Sequence, residues 1–169
     1  MTVVRAIFFI PAQPIGGRCS WRGLNDDRTE ENHWCFTIDE VREELRLLKE
    51  NDFDPELNWA QHKDLWDSLK GLIHKAKDRR LHIADEPSAD AKVIRETILE
   101  LRPFLGDSRP VFGKRPRILR LYYGEPAAEP GCLLALHLDT KEADASGRHE
   151  QNRAIEEALS RAERWARAA

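Results

Sequence analysis

Apolar residues recur along the chain at intervals that predict strands before and after a helical region. A β-branched and aromatic run from Thr2 to Ile10 predicts the first strand, and the prolines and glycines after it indicate a loop. Three more extended runs follow the helices: Val93 to Phe104, Arg117 to Tyr123 and Cys132 to Leu138. The segment from Gly124 to Gly131 predicts a hairpin connection, which would make the last two runs antiparallel neighbours.

Helical spacing of apolar residues predicts three helices. The first would begin at a capping box of Thr37 and Glu40. Its apolar stripe comprises Ile38, Val41, Leu45 and Leu48, and that of the second comprises Trp59, His62, Trp66, Leu69, Ile73 and Ala76. The closing helix runs from about Glu150 to Ala168, and its apolar stripe comprises Ile155, Leu159, Ala162 and Trp165.

The order of these elements is strand, two helices, three strands and one helix, which is typical of the α+β class. We expect a small antiparallel sheet with an N-terminal helical hairpin and a C-terminal helix. Residues 1–33 form an N-terminal extension that no pattern assigns, and residues 34–169 form the domain.

Composition excludes several classes of protein. The chain has 169 residues, of which 34% are charged, and a net charge of −3, as expected of an ordinary soluble domain rather than a non-specific nucleic-acid binder. It lacks an apolar run of the ~20 residues that span a bilayer and lacks a secretory signal, so we expect a cytoplasmic protein without membrane contact. Its three cysteines include no C-x-x-C pair and no histidine has ligand spacing, so we expect neither a disulfide framework nor a metal site, and no cofactor.

Charge is distributed unevenly along the sequence. Residues 1–91 have a balance of −5, whereas residues 92–120 have a balance of +5, and the segment from Ser108 to Gly124 contains no acidic residue. Strand alternation places Arg117 on one face of its strand and Arg120 with Tyr122 on the other.

Guanidinium groups can bind phosphate with two parallel hydrogen bonds, and a neighbouring tyrosine can stack on a base. Arg102 adds a guanidinium from the strand expected beside Arg117 and Arg120. The alternative is structural: Glu100 and Arg102 would form cross-strand ion pairs with those two arginines.

A second group of polar residues lies at the end of the last strand, where His137, Asp139 and Lys141 precede His149 of the closing helix. Cleavage of RNA by its own 2′-hydroxyl needs a base, a cation for the phosphorane and an acid, and these residue types supply all three without metal. A histidine in an apolar strand is alternatively a structural residue.

Four segments in this order resemble the RelE/HigB group of bacterial toxins from type II toxin-antitoxin pairs. They are TILELRP ending at Pro103, RPRILRLYYGEP from Arg115 to Pro126, CLLALHLDTK from Cys132 to Lys141, and the closing helix QNRAIEEALSRAERW. The resemblance implies a small α+β fold, endoribonuclease activity on mRNA in association with the ribosome, and a cognate antitoxin rich in acidic residues.

The resemblance also implies roles for individual residues. Arg117 would stabilise the scissile phosphate, while Arg102 and Lys141 would contact RNA. With the residue chemistry above, the candidate catalytic residues are Arg117, His137 and Lys141, and the candidate RNA-binding residues are Lys92, Arg102, Arg115, Arg120 and Tyr122. The acidic Glu142 after Lys141, together with the negative net charge, favours an alternative: a non-catalytic toxin or accessory factor that binds gyrase or another protein.

Overall fold

A mixed β-sheet with three helices forms the fold. The computed structural model describes residues 31–52, 57–95, 98–103, 111–112, 115–126, 129, 131–143 and 147–168. In chain order the elements are β1 (His33–Cys35), α1 (Asp39–Lys49), α2 (Trp59–Lys77), β2 (Ala91–Arg95), β3 (Ile98–Leu101), β4 (Val111–Phe112), β5 (Arg115–Gly124), β6 (Cys132–Glu142) and α3 (Gly147–Arg167). The α+β class is therefore confirmed, and the strand predicted at Thr2 to Ile10 lies outside the described residues.

The sheet has the strand order β1-β6-β5-β3-β2, and β4 pairs with β5. β1 runs parallel to β6, with His33 opposite Cys132, whereas the other pairs are antiparallel. The expectation of a purely antiparallel sheet was wrong, because β1, whose last residue precedes the first residue of β6 by 97 positions in the sequence, pairs with the edge of β6 in parallel. The boundary predicted after residue 33 falls inside this strand.

The two longest strands, β5 and β6, form the centre of the sheet. They pair antiparallel from Arg117 opposite Glu142 to Gly124 opposite Leu134, as the hairpin pattern predicts. Gly131, which precedes β6, has a φ of 86°, a conformation that glycine adopts without steric cost. Apolar residues of both strands, such as Leu121 and Leu138, are almost completely buried.

The run from Val93 to Phe104 forms two strands instead of the single one expected. β2 ends at Arg95 and β3 begins at Ile98, and the two strands pair antiparallel. The polar residues around position 96 interrupt the apolar pattern. The alternation of apolar residues alone did not reveal that this long run comprises two strands.

The beginning of α1 differs from the predicted capping box. The N-cap residue is Ile38, and no side chain caps the helix there. Thr37 instead accepts a hydrogen bond from the indole of Trp165 over 3.1 Å, and Glu40 pairs with Arg164. Both side chains therefore attach α1 to α3, a tertiary demand that overrides the local capping pattern.

The buried stripe of α2 is displaced from the predicted one. Its fully buried residues are Leu65, Leu69, Leu72 and Ala76. Trp59, expected in the stripe, is 76% exposed, whereas Trp66 and Ile73 are partly buried against the core. Asn58 caps the helix by accepting a hydrogen bond from the backbone of Gln61.

The helices contact different parts of the sheet. Trp34 of β1 donates a hydrogen bond to the backbone of Ile73 in α2, while α1 and α3 both lie against β6. None of the described helices is both long and apolar enough to cross a membrane.

Candidate functional site

Five of the candidate side chains lie on one face of the sheet, around the carboxylate of Glu100. Glu100 of β3 is paired in register with Lys92 of β2 and with Tyr122 of β5. Directly paired residues share a face, and so do alternate residues of one strand, which adds Arg120. The remaining candidate residues are Arg102, which follows β3, and Lys141 of β6. We call Lys92, Arg102, Arg120 and Lys141 the basic cluster.

Hydrogen bonds and ion pairs connect the basic cluster to Glu100, whose side chain is 2% exposed. The Nε atoms of Arg120 and Arg102 lie 3.5 and 3.7 Å from Glu100 Oε1. Lys141 Nζ donates to Gln151 Oε1 over 2.8 Å, and Gln151 Nε2 donates to Glu100 Oε2 over 3.0 Å. Gln151 belongs to α3, so the start of this helix lies over the cluster.

Three members of the basic cluster also have partners other than Glu100 and Gln151. Lys92 forms an ion pair with Asp85, a residue whose side chain is 84% exposed. Arg102 donates to the backbone oxygen of Glu86 over 2.9 Å. Arg120 donates through Nη1 to the oxygen of Leu119, but its buried Nε has no hydrogen-bond partner in the described part of the chain.

Burial and repulsion by neighbouring cations lower the pKa values of two members of the cluster, Arg120 and Lys141. Burial lowers the pKa of Arg120, an effect that the neighbouring Glu100 opposes. Burial also lowers the pKa of Lys141; Glu100 opposes this effect, and the other three cations reinforce it. The cluster thus has four cations against two carboxylates, Glu100 and the exposed Asp85 that pairs with Lys92, and a phosphate group would offset this excess of positive charge.

His137 lies on the same face, farther along β6, and belongs to a buried network. Its Nδ1 donates to Glu44 Oε1 over 3.0 Å, and Arg161 Nη2 donates to the same oxygen over 2.7 Å. Burial alone would lower the pKa of His137, but Asp139 and Glu44 outweigh it and raise the pKa to about 9. His137 is therefore protonated at neutral pH, which suits an acid or a structural cation rather than a general base.

Arg117 projects from the opposite face of β5 and is held by its own partners. Its guanidinium donates to Thr140 Oγ1 over 2.9 Å and to both carboxylate oxygens of Glu150, over 3.1 and 3.0 Å. With His137 and Asp139 it lines an open cleft of about 400 Å³ beside α3. Arg117 and the basic cluster are thus presented in different directions.

The structure brings together five of the eight predicted site residues: Lys92, Arg102, Arg120, Tyr122 and Lys141. Arg117 and His137 line the separate cleft, and the side chain of Arg115 lies outside the described residues. Of the cross-strand pairs in the ion-pair alternative, Glu100 with Arg120 is present, whereas Arg117 pairs with Glu150 instead. Arg102 is itself a partner of Glu100, which the alternative did not predict. Whether any of these residues acts on RNA stays a prediction.

Sequence reasoning missed the partners that α1 and α3 contribute. Glu44, Gln151 and Arg161 lie on helices whose apolar patterns did not mark them, and Arg161 is only 6% exposed although it is charged. Among the partner residues, only Glu100 could have been recognised from the sequence, since it is a charged residue within the apolar segment ILEL.

The cysteines also differ from expectation. Cys35 of β1 and Cys132 of β6 form a disulfide, with their Cα atoms 6.2 Å apart. A ring nitrogen of His33 lies within 4.8 Å of both sulfur atoms, although the spacing of these residues in the sequence is not that of metal ligands. Strand pairing unites residues that are 97 positions apart, which spacing in the sequence does not reveal.

No known protein family matches the sequence, and no curated protein or solved structure is similar to it. The resemblance to RelE/HigB toxins rests on the four segments and on the order of the elements.

Proposed function

We propose that this chain is a RelE/HigB-like toxin that binds mRNA through the basic cluster and cleaves it without metal, in association with the ribosome. The observation that supports this proposal is the grouping of four cations around the buried Glu100, on β2, directly after β3, on β5 and on β6. An acidic segment of a cognate antitoxin would neutralise the protein by occupying the same cluster.

The chemistry would centre on Lys141. Because burial lowers its pKa, a larger fraction of its amine is unprotonated than in an exposed lysine, and only the unprotonated amine can accept a proton. It would take the proton of the 2′-hydroxyl as the 2′-oxygen bonds to phosphorus and the bond to the 5′-oxygen breaks, with water protonating the leaving oxygen. Arg102 and Arg120 would offset the charge of the phosphorane.

His137 and Arg117 have supporting roles in this proposal. His137 precedes Lys141 by four residues on one strand, which separates their Cα atoms by roughly 13 Å, too far to serve one phosphate. Arg117 would keep the end of β6 against the start of α3 through Glu150, and it would reach a phosphate only after releasing that carboxylate.

The test compares Lys141→Arg with Lys141→Gln on translating ribosomes that carry a reporter message. Arginine keeps the charge and cannot act as a base, so Lys141→Arg should bind RNA and lose cleavage by about 100-fold or more, within the range for general-base catalysis. Lys141→Gln should lose both, and the exposed Lys63→Arg should behave as wild type. Mapping of new 5′ ends measures cleavage. Equal cutting by wild type and Lys141→Arg, or no cutting by wild type, would refute the proposal.

A second candidate is a non-catalytic toxin or accessory factor that binds a protein such as gyrase. The observation that favours it is the neutralisation of Arg117 by Glu150, which leaves the predicted phosphate contact occupied. Expression in a bacterial host distinguishes the two functions. Growth arrest with intact messages and DNA damage signals supports protein binding, whereas growth arrest with cut messages supports the ribonuclease.

A further inference from the structure

Away from the basic cluster, His33, Cys35 and Cys132 form a group of potential metal ligands. Their ligand atoms, one ring nitrogen and two sulfurs, all lie within 4.8 Å of one another. His33 and Cys35 are alternate residues of β1, and Cys132 is the register partner of His33 on β6, so the three side chains share one face. His33 is exposed, Cys35 half-buried and Cys132 buried, which gives the group one side open to solvent.

This donor set suits a particular kind of ion. Two thiolates and an imidazole are the ligands that zinc takes in proteins, whereas calcium and magnesium prefer oxygen. With Zn–S near 2.3 Å and Zn–N near 2.0 Å, tetrahedral ligand atoms lie roughly 3.5–3.8 Å apart. The ring nitrogen of His33 already lies within 4.8 Å of both sulfurs, while the two sulfurs are bonded to each other and must separate on reduction to reach that arrangement. Water would supply the fourth ligand.

We infer that the reduced chain binds one zinc ion through His33, Cys35 and Cys132, and that formation of the Cys35–Cys132 disulfide abolishes this site. The two states exclude each other because both sulfurs are needed in each. A dithiol reductant supplies two electrons and two protons, breaks the S–S bond and itself becomes a disulfide. Zinc then displaces both thiol protons as the two Zn–S bonds form.

The site would link β1 to β6 in both states, through the disulfide in the oxidised chain and through zinc in the reduced chain. β1 has three residues and leads into α1, and its pairing partner is β6, 97 positions further along the chain. A disulfide persists in oxidising surroundings and a dithiol in a reducing cytoplasm. Zinc would therefore replace the covalent link between β1 and β6 where the link cannot form.

The experiment uses the full chain with Cys19→Ser, so that Cys35 and Cys132 are the only cysteines. A phosphine reduces the disulfide and becomes a phosphine oxide with oxygen from water, without adding a competing thiol. Cobalt(II) is titrated anaerobically as the probe, and zinc is then added. We expect a sulfur-to-cobalt charge-transfer band that saturates at one ion per chain, disappears with zinc, and does not form in the oxidised protein.

Two variants identify the ligands. His33→Asn should weaken cobalt binding by more than the roughly 10–100-fold typical of losing an outer partner of a ligand, while the exposed His74→Asn should leave it unchanged. Absence of the band from a reduced chain with an unchanged circular dichroism spectrum would overturn the inference. So would equal binding by the oxidised chain, or by His33→Asn. Because the redox comparison needs no substitution at either cysteine, it does not depend on whether such variants fold.

Discussion

Protonated His137 is stabilised by its neighbours, and this makes the stability of the fold depend on pH. Asp139 and Glu44 overcome the effect of burial and raise its pKa to about 9, above the ordinary 6.5. A raised pKa in the folded state means that this stabilisation is complete below pH ~6.5 and is lost as pH rises through ~9. From urea unfolding we expect wild type to lose on the order of 2–3 kcal/mol across that range.

His137→Gln isolates this effect, since glutamine donates to Glu44 but does not titrate. The variant should be less stable than wild type at pH 6, and the difference should shrink by pH 9.5. An NMR titration of the His137 ring gives the pKa directly. A midpoint near 6.5, or the same pH dependence in both proteins, contradicts the explanation.

Glu100 is the residue on which the basic cluster depends for stability. Removing one member of a buried ion pair typically costs about 3–5 kcal/mol because the other charge is left unpaired. We expect Glu100→Gln to destabilise the fold by that amount in urea unfolding and, if folded, to bind RNA more tightly because a negative charge is gone. Glu43→Gln, which breaks an exposed ion pair with Arg46, should leave the urea midpoint unchanged. A similar change in both variants would show that Glu100 is not a special carboxylate.

At the scale of single residues, the sequence predicted the positions of the cations better than the carboxylates that pair with them. Strand alternation correctly separated Arg117 from Arg120, because the period of two depends on local geometry alone. It gave no access to Glu150 or Glu44, since helix residues meet the sheet only through tertiary packing. The cations of the candidate site and their partner Glu100 could therefore be predicted, while the helix carboxylates that pair with Arg117 and His137 could not.

At the scale of elements, side chains protect the free edge of β6. β1 pairs with this strand over Cys132 to Leu134, and side chains occupy backbone groups beyond that point. The bonds run from Arg161 to Leu136 O (3.0 Å), from Leu138 N to Glu44 (2.8 Å), from Arg117 to Thr140 O (3.1 Å) and from Glu142 N to Glu150 (2.6 Å). An unprotected edge of this length would pair with other chains.

Arg161→Leu tests this protection. The substitution frees the carbonyl of Leu136 and removes one cation from Glu44, so we expect a loss of about 2–4 kcal/mol in urea unfolding. Light scattering should also show concentration-dependent association through the exposed edge. Arg164→Leu, at the exposed pair with Glu40, is the matched control and should remain monodisperse. Equal behaviour of the two variants would remove the argument for edge protection.

Two helical glycines should respond oppositely to the same substitution. A Cβ at Gly71, an exposed residue of α2, would meet no atom within 4 Å, so Gly71→Ala should stabilise by about 0.5–1 kcal/mol. A Cβ at Gly147 would lie 2.0 Å from the oxygen of Glu142, so Gly147→Ala should destabilise by about 2 kcal/mol or more. Melting temperatures of the two variants measure both effects, and a stabilising Gly147→Ala would show that Gly147 is not closely packed against Glu142.

At the scale of the whole molecule, the sequence predicted the class and most elements but not their arrangement. The hairpin of β5 and β6 followed from adjacent apolar runs and the turn residues between them. The parallel pairing of β1 with β6 did not, because three residues carry too little pattern and the pairing joins distant segments. Thr37 was misassigned for a related reason: its hydrogen bond with Trp165 of the distant α3 decided its environment.

Electrostatics of the whole molecule lead to the last prediction, on RNA affinity and salt. The chain has a net charge of −3, so attraction for RNA needs a local excess of positive charge, which we assign to the basic cluster. Lys92, Arg102 and Lys141 are its partly exposed members, whereas Arg120 is buried. Three phosphate contacts predict a slope of about −2 for the logarithm of the binding constant against the logarithm of salt concentration with single-stranded RNA. Fluorescence anisotropy at several salt concentrations measures this slope.

Two variants test whether the cluster is its source. Lys141→Gln should reduce the slope by about 0.7 in magnitude, and Lys63→Gln should leave the slope unchanged. A slope near zero would mean that the cluster neutralises Glu100 and nothing else.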